Sequence, residues 1–590
     1  MRAALEAVRN EPPPRRKVYV RDGDPLVLDE IAQAIAAGGK VFERLGRPVR
    51  VRGVENGEAE AAGLHRPTGA PVIEELTVPT LAESAICACH FVRLDRRSDG
   101  ERDANAPSQY LQMLAANAEG RFPPLYGVIE APTLSADGSL LARGGYDRAS
   151  GLFLALEGTW PDIPATPTGS QVEGAVALLN EALFNFPFVD ETHKSAAFAL
   201  LFTLLARDLI PGPVPVFLID ATAPGTGKSL LGDLCSVIAS GRPASRWAFV
   251  ADEDEQRKRL ISMALAGDRF VLLDNVEQPV GGSALAGAVT SASISDRRLG
   301  TNQTVTAQFR AVLAFTGNGL QLKGDLARRA VAIYLDAHEE RPEERRNFRH
   351  PRLLDWATQH RPELAVAALT VLRGFLAAGR PSQNLPPFGS FEAWSETIRQ
   401  ALVWAGLPDP CQTRQRIRDD ADPDGQAFGD LLRALHAHCG TRPVRVADLL
   451  KEVSACDSAE ADGSLKEALG YYAERGQDLP SARRLAYVLR SKKGRIVSGL
   501  RLDSLMDRKR TTLWRVAPIG EERYAGDAGD AGDTSSPRAR SVEDDYGTAS
   551  ETTPPGAGII AGNDRHHRHL KAVLDTDSDR EEVIGQAVLL

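Results

Sequence analysis

The stretch Thr222-Ala-Pro-Gly-Thr-Gly-Lys-Ser229 constrains this chain more than any other. It follows the apolar, strand-like run Pro215-Val-Phe-Leu-Ile-Asp220 and opens into a helical pattern over 228–239. That strand, loop, helix order is what a phosphate cradle requires. Glycines at 225 and 227 let the backbone curl, so that successive N–H groups face an anion at the positive end of the next helix. Pro224, Gly225, Thr226, Gly227, Lys228, Ser229 and Leu230 are therefore the expected nucleotide cradle. Lys228 is placed to reach the β- and γ-phosphates, and the Ser229 hydroxyl to ligate Mg²⁺. Thr222 stands where the pattern G-x-x-x-x-G-K-[ST] has its first glycine, at the point where the loop merely leaves the strand. The expected ligand is a nucleoside triphosphate, and the expected fold class is α/β.

Three further elements follow in order. Phe270-Val-Leu-Leu-Asp274 is an apolar strand ending in a carboxylate, and Asp274 is placed to hold the water shell of Mg²⁺. Asn275 comes next, where many such ATPases carry a glutamate. Glu277 is nearby, but Glu255, after the strand-like run Trp247-Ala-Phe-Val250, is the stronger candidate for the catalytic acid. A solvated acidic helix start, Asp252-Glu-Asp-Glu255, is the competing reading of that residue. The strand-like run Ala311-Val-Leu-Ala-Phe-Thr316 ends in Gly317-Asn318, where Asn318 can orient the attacking water and sense the γ-phosphate. In Gly324-Asp-Leu-Ala-Arg-Arg329, Arg328 and Arg329 are placed to reach a neighbouring subunit's γ-phosphate.

The order of these parts resembles the AAA+ class of ATPases. Within it, the segment from Pro224 to about Trp404 is similar to the superfamily 3-like helicase domain of primase-helicase-like proteins of phages and integrated elements. The likeness is carried by Pro224-Gly-Thr-Gly-Lys-Ser-Leu-Leu231, Glu255-Gln-Arg-Lys-Arg259, Leu272-Leu-Asp-Asn-Val276, Asp296-Arg-Arg-Leu-Gly300, Thr316-Gly-Asn318, Gly324-Asp-Leu-Ala-Arg-Arg329, Phe348-Arg-His-Pro351 and Gly389-Ser-Phe-Glu-Ala-Trp-Ser395. It implies a P-loop AAA+ ATPase core that uses ATP and Mg²⁺ through Lys228, Ser229, Asp274, Asn318, Arg328 and Arg329. It also implies a homo-oligomer, a hexameric ring, acting as an ATP-dependent DNA helicase or translocase in replication of a mobile element or phage. The alternative is an AAA+ switch or loader that assembles on DNA without unwinding it. The run Arg298-Leu-Gly-Thr-Asn-Gln-Thr-Val-Thr-Ala-Gln-Phe-Arg310 reads as a hairpin. It resembles the DNA-tracking hairpin of such helicases, with Arg298 and Arg310 as candidate DNA contacts at its base.

A chain of 590 residues is too long for one core, so several domains are expected. Residues 1–165 read as a mixed α/β region of unknown role, with strands over 18–21 and 85–94 and helices over 28–37 and 109–116. A helical lead-in over 171–209, the ATPase core over 210–340, a helical lid over 341–410, a linker over 411–425 and a compact domain over 426–518 follow. The remainder, 519–590, reads as a disordered acidic tail.

Net charge of −9 hides a polarity: 481–516 carries eleven Lys/Arg against two Asp, whereas 521–590 carries fifteen Asp/Glu against seven Lys/Arg. Three helices (428–438, 446–453, 481–489) and two strands (495–502, 511–516) describe a winged-helix-like domain. Arg483 and Arg484 would lie on its third helix, and Arg508, Lys509 and Arg510 in its wing, as candidate phosphate contacts. A protein-docking domain with a solvated basic face is the competing reading.

No apolar run approaches the length of a membrane span, and Met-Arg-Ala-Ala-Leu-Glu lacks a signal-peptide core. With six scattered cysteines, these features point to a cytoplasmic protein without a disulfide framework. Cys87-Ala-Cys89-His90 has no second pair for zinc, and strand alternation explains both thiols. Asp95, Asp99 and Asp103 sit in a charged loop, so a primase, if used, is expected to be a separate chain.

Overall fold

The structure is a computed structural model, and it describes residues 15–55, 64–95, 100–297, 304–421, 423–455, 463–474, 476–508 and 510–519. Arg298, Lys509 and the tail expected over 519–590, Ile519 apart, lie outside the described residues.

Five parallel strands form the centre: β1 (Val216–Ala221), β2 (Ser245–Trp247), β3 (Phe270–Leu273), β6 (Val312–Asn318) and β7 (Ala330–Leu335), in the order β7-β1-β6-β3-β2. Helices α1 (Lys228–Ser240), α2 (Glu253–Ala266) and α3 (Ser283–Thr290) intervene. So does an antiparallel hairpin of β4 (Ser293–Arg297) and β5 (Thr304–Gln308). β1, β3 and β7 are buried along their whole length, which is why they read as unbroken apolar runs: a parallel sheet is covered on both faces.

The alternation survives in three dimensions. Phe217, Ile219, Leu272 and Ala314 join one core with Leu234 and with helices Glu191–Leu205 and Arg361–Ala377. Val216, Leu218, Leu273 and Phe315 join the other, with Leu260 of α2 and Leu285 of α3.

The strand order has a consequence for function. β6 is inserted between β1 and β3, so the carboxyl ends of β1, β6 and β3 lie side by side. In open α/β sheets ligands bind outside the carboxyl ends of the strands.

Beyond the core, three departures from the sequence reading stand out. The run read as a strand over 85–94 is a helix, Val78–Ala88, followed by a strand, Cys89–Asp95, that pairs in parallel with Arg16–Tyr19. Pro79 opens that helix in its first turn, where its missing N–H costs nothing. Cys87 is therefore exposed on a helix and Cys89 is buried on a strand, its thiol pushed up to about 11 by burial. The alternation argument does not apply to the pair, and His90 instead bonds Asp103 at 2.9 Å. Among the described residues no group of three or more His, Cys, Asp or Glu is arranged to hold a metal ion.

The N-terminal region is also continuous with the core. Leu64–His65 adds a sixth, antiparallel strand beside β2, and Arg66 holds Asp268 through two bonds of 2.7 and 2.6 Å, both side chains largely buried.

The expected linker over 411–425 is largely helical: Arg414–Ala421 buries Ile417 in the core and sets the Arg414 guanidinium 3.5 Å from the Phe388 ring centroid.

The C-terminal part has its own apolar core. Helices Pro423–Cys439, Val446–Ala455 and Ala482–Ser491 match the reading, and Gly463–Gly470 is a fourth. Strands Leu500–Met506 and Thr512–Pro518 pair over seven residues each, with Ile496–Val497 alongside. No helix among the described residues is long and apolar enough to cross a membrane.

Candidate functional site

β1 ends at Ala221, and the loop to α1 turns on two glycines in left-handed backbone, Gly225 at φ +75° and Gly227 at φ +94°. A Cβ on Gly225 would stand 2.8 Å from a Glu343 carboxylate oxygen, and one on Gly227 would meet the Phe186 ring at 3.4 Å. Backbone geometry and space both therefore demand glycine. The loop delivers Lys228 and Ser229 to the first turn of α1, where free N–H groups and the helix dipole favour an anion.

Lys228 Nζ donates to Asn318 Oδ1 at 2.7 Å, to the Ala223 carbonyl at 3.1 Å and to Thr226 Oγ1 at 3.3 Å. Burial lowers the pKa of this ammonium against the opposing pull of Asp220 and Asp274. Ser229 Oγ donates to Asp274 Oδ1 at 2.6 Å, and Thr316 Oγ1 donates to the same oxygen at 2.5 Å. A hydroxyl beside a carboxylate is an oxygen donor set that suits Mg²⁺. Asp220, buried just before the loop, accepts from the backbone N–H groups of Ala221 and Leu320 at 2.8 and 3.1 Å. It thereby ties the turn after Asn318 to β1. Burial raises its pKa.

Arg246 is a residue that sequence reasoning missed. From β2 it donates to Asp274 Oδ2 at 3.0 Å and grips Asp233 with two bonds of 2.9 and 2.8 Å. Burial works against ionisation of Asp274, but the bonds from Ser229 and Thr316 and the charge of Arg246 outweigh it and hold the carboxyl below its usual range. Arg246's partners lie 13 and 28 residues away, a distance that no local periodicity records. Thr316 was visible only as the polar end of an apolar run.

The other candidates divide. Asn318 is brought onto Lys228. Glu255 lies in the first turn of α2, where Asp252 caps its N–H, and its carboxylate pairs with Arg259 at 3.1 Å and Lys258 at 3.6 Å on the same helix. Arg328 and Arg329 end a short 3₁₀ segment, Gly324–Arg329. The two side chains part: Arg328 is 73% exposed and Arg329 only 19%. Arg329 bonds the Ala286 carbonyl and Thr290 on α3, and Asp325 pairs with both arginines.

A cavity of about 420 Å³ adjoins the loop, walled by Gly225, Thr226, Leu230, Phe186, Phe348 and Leu353. Arg345, Arg352 and Asp355 also line it, and largely apolar walls with a few polar groups beside an anion-binding loop suit a nucleotide's base and sugar.

The hairpin register differs from the sequence reading. β4 lies ahead of the run read as the hairpin, over Ser293–Arg297, and its last residue, Arg297, pairs with Thr304 of β5. Arg310 lies beyond β5, half-buried, and donates to the Ile210 carbonyl at 3.2 Å next to the Arg269–Asp208 pair. In the C-terminal part Arg483, Arg508 and Arg510 are exposed, while Arg484 Nε donates to the Tyr472 carbonyl at 3.1 Å.

No protein-family model and no curated protein matches the chain. Among solved structures, the chain is similar to the apo NrS-1 C-terminal region at 11% identity and a TM-score of 0.38, covering 84% of this chain and 99% of that one. It is similar to the SCCmec type IV Cch active helicase at 11% identity and a TM-score of 0.31, covering 81% and 92%. The JCV helicase gives 11% identity and a TM-score of 0.19, covering 41% and 74%.

Proposed function

We propose that this chain is a Mg²⁺-dependent ATPase of the AAA+ type that works as a homo-oligomeric, hexameric ring, unwinding or translocating along DNA during replication of a mobile element or phage. The convergence of Lys228, Ser229, Asp274 and Asn318 at the carboxyl ends of β1, β3 and β6 carries the reading. Lys228 would neutralise the terminal phosphates, and Asn318, already in its reach, would orient the attacking water. Ser229 and Asp274 would hold Mg²⁺, which when bound offsets charge across the β- and γ-phosphates. Glu255 is the proposed water-activating acid, a role that requires its release from Arg259 and Lys258. Arg328 extends into solvent and is proposed to complete a neighbour's site, while Arg329 positions the segment against α3. Phosphoryl transfer shared in this way requires a head-to-tail interface between identical subunits, which repeats into a ring where the rotation closes. Mg²⁺-dependent ATP hydrolysis by the purified chain, with its oligomeric mass measured in the same buffer, tests this reading. A monomer that hydrolyses ATP at full rate would overturn it.

Arg246 gives this site a pH signature. Asp274 serves as the carboxylate, and that form is lost as pH falls through its pKa. Removing the Arg246 cation raises that pKa, so Arg246→Gln is expected to move the acid limb of hydrolysis to higher pH. It is also expected to weaken Mg²⁺ affinity by about 10–100-fold, the usual effect of losing an outer partner of a metal ligand. Arg246→Lys should restore part of the affinity. An unmoved acid limb with unchanged Mg²⁺ dependence would show that Arg246 only joins β2 to α1.

DNA is proposed to meet the β4–β5 hairpin, through Arg297 at the end of β4 and the Arg298 that follows it in sequence, and the C-terminal part, read as a winged helix with 507–510 as its wing. Arg310, bonded to Ile210, supports the hairpin's root. Replacing Arg508, Lys509 and Arg510 with alanine is expected to weaken duplex binding without lowering ATP turnover measured in the absence of DNA. Each lost phosphate contact removes about 0.9 from the slope of log affinity against log salt, so the slope should flatten by roughly 2–3. An unchanged slope would mark the wing as a protein-docking element.

A further inference from the structure

Helix Ala482–Ser491 presents two chemically distinct sides. Leu485, Val488 and Leu489 enter the domain core. Arg483, Tyr487 and Arg490 stand four and three residues apart and so share the opposite face. Tyr487 is 68% exposed. The helix carries no Asp or Glu. Arg483 and Lys493 have no side-chain hydrogen bond or ion pair among the described residues, and the bond Arg490 makes goes to the Ala486 carbonyl of its own helix. Their neighbours are committed elsewhere: Arg484 to the Tyr472 carbonyl, and Lys492 to the Asp424 carbonyl and the Phe428 ring.

The face is therefore a flat aromatic ring between two guanidiniums that make no ion pair among the described residues. Arg483 and Arg490 are separated by about 10 Å along the helix axis, with the ring between them. A duplex keeps its bases stacked on one another and offers such a face phosphates and base edges, but no base plane for the ring to stack on. A single strand offers both phosphates and an unpaired base.

We infer that this face binds single-stranded DNA, with an unpaired base stacked on Tyr487 and the flanking phosphates on Arg483 and Arg490. The inference rests on the proposed DNA-binding role of this domain and names the form of DNA it takes. A ring that separates a duplex would then have, in its C-terminal part, a holder for one of the released strands.

The test uses the full chain without nucleotide. Affinities for an oligothymidylate and for a blunt duplex are measured across a salt series, and an oligothymidylate carrying one 5-iododeoxyuridine is photo-cross-linked and the joined peptide mapped. The expected result is a cross-link at Tyr487 and a single-strand affinity that Tyr487→Ala lowers by about fivefold or more. Tyr487→Phe should keep the affinity, since the ring and not the hydroxyl stacks. Tyr487→Ala removes no charge, so the salt slope should stay as it was, whereas Arg483→Ala with Arg490→Ala should flatten it by about 1.4 for a single strand. Wild-type single-strand affinity in Tyr487→Ala, or cross-links that map only elsewhere, would overturn the stacking inference while leaving duplex binding and its Arg508-to-Arg510 salt dependence in place. A chain that binds neither form of DNA would overturn the inference together with the DNA-binding role itself.

Discussion

Replacing Lys228 with alanine is expected to lower ATP hydrolysis by at least about a hundredfold, the scale of losing one preorganised charge-stabilising group. The ammonium is held over the loop by the Ala223 carbonyl, Thr226 and Asn318, so no other cation on the loop can substitute for it. Nucleotide binding should weaken as well, because the terminal phosphates lose their counter-charge. The variant should remain folded, since Lys228 is not part of either core beneath the sheet. Hydrolysis at the wild-type rate by the Lys228→Ala protein would place the nucleotide site elsewhere.

A still larger loss is expected for Arg328→Ala, about a thousandfold or more if the guanidinium acts as a charge donor in the transition state. Its exposure decides the form of the test. With Arg328 completing a neighbour's site, as proposed, the variant should bind ATP with its own loop intact and fail to hydrolyse it. Mixing it with Lys228→Ala subunits should recover activity at interfaces where an intact loop meets an intact arginine. Arg329→Ala, by contrast, should act on its own chain by loosening 324–329 from α3, and no partner should rescue it. Co-assembled mixtures of Arg328→Ala and Lys228→Ala without any regained activity would argue against a shared site.

What could be read from the sequence was the local chemistry. The β1-loop-α1 unit announces itself because an apolar run, two glycines and a lysine-serine pair stand within fifteen residues of one another. Asp274 and Asn318 were legible as polar ends of buried strands. The meeting of Asp274 with Ser229 and of Asn318 with Lys228 was not, because it depends on β6 lying between β1 and β3, and strand order leaves no mark on periodicity. The same holds for Arg246, whose carboxylate partners come from a helix and from another strand. Arg328 and Arg329 are adjacent and identical letters, and only the packing of 324–329 against α3 separates an exposed side chain from an anchored one. At 85–94 the apolar alternation of the strand Cys89–Asp95 was extended backwards into a helix, since alanine and cysteine fit either period. At 411–425 the charges suggested a linker, whereas one face of Arg414–Ala421 carries Ile417 into the core.

The most direct measurement is strand separation on a forked DNA duplex by the full chain, with Mg²⁺ and ATP, beside the Lys228→Ala protein and a non-hydrolysable nucleotide. Separation that requires hydrolysis, and that the variant and the analogue both fail to support, is the expected result. ATP turnover on that same fork with no strand released, at protein concentrations where the ring is assembled, would contradict a helicase and leave an ATP-driven switch or loader on DNA.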